Sequence, residues 1–279
     1  MAALLLSNPR SDRVKAVRRL TGRSARERAG RFLAEGPQAV REAVARRPDA
    51  VREVYATPDA AVRFADVVAT AAAAGIDVRP VTPEVLAAMT GDDGAVTPQG
   101  LLAVCDTLGT PLADVVAAGP RLAVVLAEVR DPGNAGTVIR TADAAGADAV
   151  VVSGASVDVH NPKCVRATAG SLFHLPLVTG PAPAEAVAAL RTAGLQVLAA
   201  DGAGGTSLDD LLDAGALAGP VAWVLGNEAW GLPPELRRLA DDVVRVPIYG
   251  AAESLNVASA AAVLLYATAR AQRAGGKRV

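Results

Sequence analysis

The second half of the chain alternates short, almost fully apolar runs with longer Ala- and Leu-rich stretches of helical period. The apolar runs predict strands at residues 122–127, 149–152, 195–200, 221–225 and 243–246. Helices are predicted near residues 135–145, 184–193, 234–239 and 255–274. Near-continuous apolar strands joined by crossover helices indicate a parallel sheet that is covered on both faces. The pattern therefore predicts an α/β fold in which ligands bind beyond the carboxyl ends of the strands.

The first half of the chain predicts a smaller α/β domain. Apolar runs are present at residues 32–33, 51–56 and 101–105, and helices are predicted near residues 8–19, 25–31, 38–46, 59–74 and 83–89. The following segment has Gly and Pro at both ends and lies between two apolar strands, as is typical of a linker. We predict an N-terminal domain of residues 1–106, a linker of residues 107–119 and a C-terminal domain of residues 120–279.

The net charge of −1 hides an uneven distribution of basic residues. Residues 1–56 contain 13 Lys and Arg against 6 Asp and Glu. This surplus favours a polyanionic partner, because closely spaced cationic side chains can contact several phosphates at once. A solvated helical face without a partner is the alternative interpretation.

Several classes of protein do not fit the sequence. No apolar segment approaches the roughly 20 residues that span a bilayer, and we expect a cytoplasmic protein. Cys105 and Cys164 are far apart in the sequence, so neither a disulfide framework nor a zinc site is predicted, and no metal is expected. Ser207 stands where the third glycine of a dinucleotide fingerprint would be, and residues 201–207 are interpreted as a flexible loop.

Three polar clusters interrupt the apolar pattern beside predicted strand ends: residues 128–147, 225–236 and 243–266. Arg140 lies on a mostly apolar predicted helix, so it should be at least half-buried and should need an anionic partner or a ligand. A structural ion pair with Glu228 would meet the same need. Ser254 is a candidate N-cap of the last helix. The coincidence of all three clusters at strand ends favours a catalytic or binding site.

These clusters resemble a known family. The segments NAGTVIRTA (134–142), VLGNEAWGL (224–232) and VPIYGAAESLNVASAAA (246–262) resemble the three motifs of the SpoU, or TrmH, RNA 2′-O-ribose methyltransferases. The segments FLAEG (32–36), VYAT (54–57) and LAAMTGDDGAVTPQGLLAV (86–104) resemble that family's RNA-binding domain. The resemblance implies a SPOUT-type catalytic domain with a parallel sheet and a deep C-terminal trefoil knot, which is a rare exception to unknotted chains. It also implies an obligate homodimer and S-adenosylmethionine as the cofactor.

The resemblance also assigns site residues. Those matching the conserved polar positions are Asn134, Arg140, Glu228, Ser254 and Asn256. Those matching the cofactor site are Gly226, Ile248, Leu255, Ala199 and Val257. Because a guanidinium stays protonated and is a poor base, we hypothesise that Arg140 binds the phosphate or hydroxyl of the target nucleotide and stabilises developing negative charge.

The basic residues are then candidate RNA contacts. The predicted contacts are Arg18, Arg19, Arg23 and Arg26 in the N-terminal domain and Arg166 in the C-terminal domain. The first four should provide salt-dependent affinity rather than sequence choice. The favoured function is S-adenosylmethionine-dependent 2′-O-methylation of large-subunit ribosomal RNA. The alternatives are a transfer RNA 2′-O-methyltransferase and a non-catalytic RNA-binding or ribosome-assembly protein on the same fold.

Overall fold

Two units of different architecture make up the chain. The computed structural model describes residues 4–91, 99–154, 156–227 and 230–275. The first unit comprises Met1–Leu108 and Asp158–His174, and the second comprises Gly109–Val157 and Leu175–Val279. Residues Asp158–His174, which the sequence analysis places in the C-terminal domain, therefore pack with the first unit.

Strands and helices alternate along both units. The strands are β1 (Arg31–Glu35), β2 (Val51–Ala56), β3 (Asp77–Pro80), β4 (Leu101–Asp106), β5 (Leu122–Leu126), β6 (Ala149–Val152), β7 (Leu177–Thr179), β8 (Gln196–Ala200), β9 (Thr206–Ser207), β10 (Val221–Leu225) and β11 (Asp242–Arg245). The helices are α1 (Asp12–Arg19), α2 (Arg23–Ala29), α3 (Pro37–Arg46), α4 (Pro58–Arg63), α5 (Ala65–Ala73), α6 (Pro83–Thr90), α7 (Leu112–Ala117), α8 (Pro132–Ala145), α9 (Pro162–Thr168), α10 (Pro183–Thr192), α11 (Leu208–Asp213), α12 (Pro234–Leu239) and α13 (Val257–Gly275).

The first unit packs its helices on a mixed sheet with the strand order β1-β4-β2-β3. In this sheet β4 is antiparallel to β1 and β2, whereas β2 and β3 are parallel. Val14 and Val17 form the buried stripe of α1, and Ser11 caps that helix by accepting a hydrogen bond from the backbone N–H of Val14. The two valines pack with Tyr55 of β2 and Met89 of α6. The basic side chains of α1 are left on its exposed face.

The second unit is built on a parallel sheet with the strand order β7-β6-β5-β10-β8-β11-β9. On β10, Ala222 and Val224 pack with Leu190 of α10. Trp223 lies between them, and its indole N–H donates to Thr268 Oγ1 of α13 at 2.9 Å. Because successive side chains of a strand face opposite sides of a sheet, helices cover both faces of β10. The predicted parallel sheet is thus confirmed.

The carboxyl ends of three neighbouring strands lie at one edge of this sheet. Leu225 at the end of β10 pairs with Leu126 of β5 on one side and with Ala200 of β8 on the other. The backbone N–H of Ala127 also donates to the carbonyl oxygen of Leu225 at 2.8 Å. The loops that follow β5, β8 and β10 therefore begin next to one another.

The structure adds local detail and corrects some predictions. The segment predicted as a linker includes the short helix α7. The helix predicted at 59–74 is interrupted at Phe64. The interpretation of residues 201–207 as a flexible loop missed that Ser207 begins α11 through a capping box with Asp210. Gly204 in the same segment is packed closely, because a Cβ there would lie 2.5 Å from the carbonyl oxygen of Val243. The short strands β3, β7 and β9 were not predicted.

The segment Asp158–His174 contributes α9, which packs on β1. His160 is buried beside the Phe32 ring, with a centroid distance of 4.6 Å, and its Nε2 accepts a hydrogen bond from the backbone N–H of Leu108 at 3.0 Å. Burial lowers the pKa of His160 to about 4, so the imidazole is neutral at pH 7. His174 Nε2 lies 2.8 Å from Glu42 Oε2. Both histidines thus make structural contacts within the first unit.

Candidate active site

The loop after β5 is held in an unusual backbone conformation. Glu128 has a φ of 63°, in the left-handed region that non-glycine residues seldom adopt. Its backbone N–H donates to Ser153 Oγ at 3.3 Å, and its carbonyl oxygen accepts from Asn227 Nδ2 at 2.9 Å. Asn227 is itself buried, at the end of β10. These bonds fix the loop after β5 to the loop after β10.

Two residues that follow β10, Asn227 and Gly231, are bonded to each other. Asn227 and Gly231 exchange two backbone hydrogen bonds of 3.0 and 2.9 Å. A Cβ on Gly226 would lie 2.5 Å from the carbonyl carbon of Gly231, so only glycine fits at residue 226. Gly231 has a φ of 66°, which also favours glycine. Glu228, a predicted catalytic residue, lies outside the described residues.

Helix α8 begins directly after the loop that follows β5. The carboxylate of Asp131 is its N-cap and accepts a hydrogen bond from the backbone N–H of Asn134 at 2.8 Å. Pro132 occupies the first helical position, where its fixed φ is already helical. The cap holds Asn134, a predicted catalytic residue, in the first turn.

The start of α13 meets the start of α8 through two asparagines. Asn256 Nδ2 donates to Asn134 Oδ1 at 3.0 Å. Asn256 Oδ1 accepts from the backbone N–H groups of Ala258 at 2.8 Å and Ser259 at 3.4 Å. Asn256 is therefore the N-cap of α13, and the prediction that Ser254 has that role was wrong. Ser254 is exposed in the loop two residues earlier.

Arg140 lies apart from this pair of asparagines. It follows Asn134 by six residues on α8, which is about 9 Å along the helix axis. Contrary to the expectation of a half-buried side chain, Arg140 is exposed. Its guanidinium makes no hydrogen bond or ion pair with any residue that the structure describes. The side chain is therefore accessible to an anionic ligand.

The residues predicted to bind the cofactor differ in accessibility. Ile248 and Leu255 expose 38% and 40% of their surface in the segment between β11 and α13, and Val257 is half-buried at the start of α13. Gly226 is buried where the two loops touch. Ala199 is also fully buried, within the apolar cluster between the sheet and α10. The side chain of Ala199 is therefore closed to a ligand, and a cofactor contact at this residue would have to be made by its backbone.

Two other residues at the same edge have defined contacts. Asp201, at the end of β8, accepts a hydrogen bond from the backbone N–H of Ala203 at 2.9 Å, and its Oδ2 lies 3.7 Å from Arg237. Tyr249 donates a hydrogen bond to the carboxylate of Asp209, which raises the pKa of the phenol. These contacts tie the loops after β8 and β11 to neighbouring helices.

The predicted RNA contacts fall into two groups. Arg18, Arg19 and Arg23 are exposed. The Nε of Arg23 lies 2.8 Å from Glu27 Oε1. Arg166 is also exposed, and its Nη1 lies 2.9 Å from Glu35 Oε2.

Arg26 does not belong with them, because only 2% of its surface is exposed. Its guanidinium binds Asp158 Oδ2 at 2.6 and 3.0 Å and donates to the carbonyl oxygens of Leu20 and Thr21 at 3.0 and 2.7 Å. With these donors satisfied inside the first unit, Arg26 cannot reach a phosphate. Its prediction as an RNA contact was wrong.

Sequence reasoning missed three residues that hold the site together. Asp131 caps α8, and Asn227 donates a hydrogen bond to the carbonyl oxygen of Glu128. An Asp followed directly by Pro ahead of an apolar helix was the available signal for the first. Arg130 was the third, and its guanidinium carbon lies 5.1 Å from the centre of the Trp230 ring.

Within residues 4–91, 99–154, 156–227 and 230–275, no group of three or more His, Cys, Asp or Glu is arranged to hold a metal ion. The same residues contain no helix of the length and apolar character needed to cross a membrane.

The fold and the site define a class of protein. It is an α/β protein in which loops from the carboxyl ends of a parallel sheet form one polar site, with a smaller α/β unit joined to it. The chain belongs to the SpoU rRNA Methylase family, whose profile matches residues 121–266. The profile of the MRM3-like substrate binding domain matches residues 11–103. The family suggested by the three motifs is thereby confirmed.

The chain is similar over nearly its whole length to named relatives. It is 33% identical to the 23S rRNA (guanosine(2553)-2′-O)-methyltransferase RlmP of Bacillus subtilis, over 94% of this chain and 97% of the relative. It is 32% identical to a 23S rRNA (uridine(2479)-2′-O)-methyltransferase of Streptomyces viridochromogenes, over 98% of both chains. The crystal structure of an AdoMet-bound rRNA methyltransferase from Sinorhizobium meliloti superimposes with a TM-score of 0.80 at 32% identity, covering 96% of this chain and 98% of that one.

Proposed function

We propose that this protein transfers a methyl group from S-adenosylmethionine to a ribose 2′-hydroxyl of large-subunit ribosomal RNA. The observation that carries the proposal is the bonded pair Asn134 and Asn256 at the starts of α8 and α13, in a chain that aligns over 94% of its length with a 23S rRNA 2′-O-methyltransferase. The reaction is a displacement at the methyl carbon, so alignment of hydroxyl, carbon and sulfur is the main requirement. A site fixed by caps and backbone hydrogen bonds suits that requirement.

The segment between β11 and α13 fits an adenosyl cofactor. Ile248 and Leu255 are apolar side chains left partly exposed in this segment, where the apolar parts of a ligand could cover them. These two side chains and Val257 would hold the apolar parts of the cofactor, and the backbone around Gly226 would bind its polar parts. When bound, S-adenosylmethionine supplies an electrophilic methyl group on a sulfonium. Ala199 would contribute at most through its backbone.

The polar residues would bind and orient the RNA. The amides of Asn134 and Asn256 are fixed in orientation, so they can position the ribose without a large loss of side-chain entropy. Arg140, exposed on α8, would bind the phosphate or stabilise the negative charge that develops on the attacking oxygen. Ser254 would add an exposed hydroxyl. The role of Glu228 rests on the family motif alone.

We also propose the trefoil knot and the homodimer that the family resemblance implies. The strand order supports the knot, because β10 lies between the earlier strands β5 and β8, and the chain beyond β11 returns to the start of α8 through Asn256. The exposed apolar side chains Val263 and Tyr266 on α13 and Leu212 at α11 support a partner subunit on that surface.

The first unit would provide most of the RNA affinity through its exposed basic residues. Arg18, Arg19 and Arg23 are available, and a phosphate could replace Glu35 as the partner of Arg166. We also propose a cytoplasmic location, which agrees with an rRNA substrate.

Methylation of total RNA in vitro tests the function. Unmodified total RNA is incubated with the protein and S-adenosylmethionine labelled in the methyl group, and alkali-resistant positions are then mapped. We expect label at a nucleotide of large-subunit rRNA. Label confined to transfer RNA would overturn the choice of substrate, and cofactor binding without transfer to any RNA would favour the non-catalytic alternative.

A further inference from the structure

Trp230 is a large aromatic side chain left on the surface beside the candidate active site. It exposes 56% of its surface, whereas Trp223, the other of the two tryptophans, is fully buried. The guanidinium of Arg130 lies over the Trp230 ring, 5.1 Å from its centre. Such a pair presents a flat apolar surface and a cation together.

The loop that carries Arg130 is anchored on both sides of it. Val129 is fully buried, and its carbonyl oxygen accepts a hydrogen bond from the backbone N–H of Val157 at 2.9 Å. On the other side, Asp131 caps α8. Arg130 itself is exposed. The backbone therefore directs its side chain outward from a fixed position.

Trp230 is also placed by the backbone bonds of the residue that follows it. Its neighbour Gly231 exchanges two backbone hydrogen bonds with Asn227, and Asn227 is bonded through its side chain to Glu128. The loops that carry Trp230 and Arg130 are thus bonded to each other. A flat surface held in this way loses little conformational entropy when a ligand stacks on it.

Arg130 lies close in the chain to Asn134, one of the residues that would hold the ribose. Arg130 is followed by Asp131, whose carboxylate binds the backbone of Asn134, and Asn134 contacts Asn256. Bases of single-stranded RNA stack on aromatic rings and on arginine, whereas paired bases are inaccessible to such contacts. Phosphates bind guanidinium groups. A base and a phosphate of one RNA strand therefore match both components of the pair.

We propose that Trp230 and Arg130 form a stacking platform for an unpaired base of the RNA, at or next to the nucleotide that is methylated, with Arg130 also contacting a phosphate. This inference rests on the proposed function for the identity of the ligand. Both are positioning residues, because they bind the substrate away from the reacting atoms. Replacing either should raise the KM for RNA more than it lowers kcat.

The two tryptophans allow a direct measurement of stacking. In the Trp223→Phe protein, Trp230 is the sole tryptophan, and titration with a ten-nucleotide oligoadenylate or with a large-subunit rRNA transcript should quench its fluorescence. In the Trp230→Phe protein the remaining Trp223 is buried and should not be quenched. Absence of quenching in the Trp223→Phe protein at RNA concentrations that saturate binding would overturn the platform.

Affinity and kinetics provide the second measurement. Because base stacking on an aromatic ring changes affinity by roughly 5- to 150-fold, Trp230→Ala should weaken RNA binding and raise the KM for RNA by at least about 5-fold. Trp230→Phe should retain most of the affinity, and Arg130→Ala should also reduce the salt dependence of binding. Arg238 is an exposed arginine of α12, so Arg238→Ala is the matched control. It should change neither the affinity for RNA nor the salt dependence of binding.

The cofactor distinguishes the platform from other roles. Trp230→Ala should bind S-adenosylmethionine within about 2-fold of the unchanged protein, and loss of cofactor affinity with normal RNA affinity would overturn the platform. RNA quenching without methyl transfer would contradict the proposed function and leave the platform standing. Methyl transfer to RNA without quenching of Trp230 would support the proposed function and overturn the platform.

Discussion

Asn256 Nδ2 donates a hydrogen bond to Asn134 Oδ1 at 3.0 Å, while Asn256 Oδ1 accepts from the backbone at the start of α13. One side chain thus caps a helix and contacts a neighbouring motif. Asn134 is held in turn by the N-cap of α8. The two helix starts therefore fix the geometry of the candidate active site.

The two roles of Asn256 can be separated by substitution. Aspartate caps helices as well as asparagine does but cannot donate to Asn134 Oδ1, so Asn256→Asp should retain stability and lose most methyl transfer. Asn256→Ala should lose transfer and also about 1 kcal/mol of stability, because the cap is removed. Urea unfolding and kcat are the measurements. Equal activity of the aspartate variant and the unchanged protein would contradict the role at the site.

Arg140 should matter for transfer and little for folding or cofactor binding. Its side chain is exposed and has no partner in the described residues, so Arg140→Ala should leave the unfolding midpoint unchanged. We expect kcat to fall about 100- to 1000-fold, the usual effect of removing one group that stabilises developing charge. Calorimetry should show normal S-adenosylmethionine binding. Arg238→Ala serves as the control for loss of an exposed cation, and near-normal turnover of Arg140→Ala would refute the assignment.

Arg26 should contribute to stability rather than to RNA affinity. Arg26→Ala leaves Asp158 without its 2.6 Å partner in a mostly buried site, and breaking such a pair typically costs about 3–5 kcal/mol. Arg23→Ala removes an exposed cation paired with Glu27 and should cost less than about 1 kcal/mol. Denaturant unfolding compares the two variants. A drop in RNA affinity for Arg26→Ala without a drop in stability would contradict its structural role.

His160 should make the protein lose stability in mild acid. Burial lowers the pKa of His160 to about 4, and the nearby Arg26 acts in the same direction while Asp158 opposes it. Between the unfolded pKa of about 6.5 and the folded value, the unfolded chain binds more protons, so stability falls as pH falls, by at most about 1.4 kcal/mol per pH unit.

The control for this pH dependence is His160→Gln, which keeps an acceptor for the Leu108 N–H. The unchanged protein should lose more stability than the variant between pH 6.5 and about 4. The two curves should run parallel above pH 7. Parallel curves throughout the acid range would mean that His160 is not buried as a neutral acceptor.

The core of the fold was predictable because its signals are local. The strands β6 and β10 and the helix α12 have the predicted bounds, since uninterrupted apolar runs and flanking turn residues define them. The edge strands β3 and β7 escaped prediction because they are short and one contains charged residues and Pro80. Neighbouring strands, rather than their own sequence, stabilise them as strands.

The site was predicted in its motifs and less well in its contacts. The pairing of Asn134 with Asn256 joins residues 122 positions apart, which no local pattern reports. Arg26 lies in a basic run that resembles an exposed helical face, yet its partner Asp158 comes from a segment 132 residues later. Spacing within a sequence shows which side chains share a face. It does not show which faces a distant segment covers.

The segment Asp158–His174 belongs to the first unit although it lies within the sequence of the second, and this limits how the protein can be divided. A fragment of residues 1–108 would lack the helix that lies on β1, and a fragment of residues 109–279 would carry that helix without its sheet. Recombination between relatives at a single junction after residue 108 would therefore combine β1 from one parent with α9 from the other. Inheritance of the two units together is the expected outcome, and a chimera that keeps both units whole needs three coordinated crossovers, after residues 108, 157 and 174.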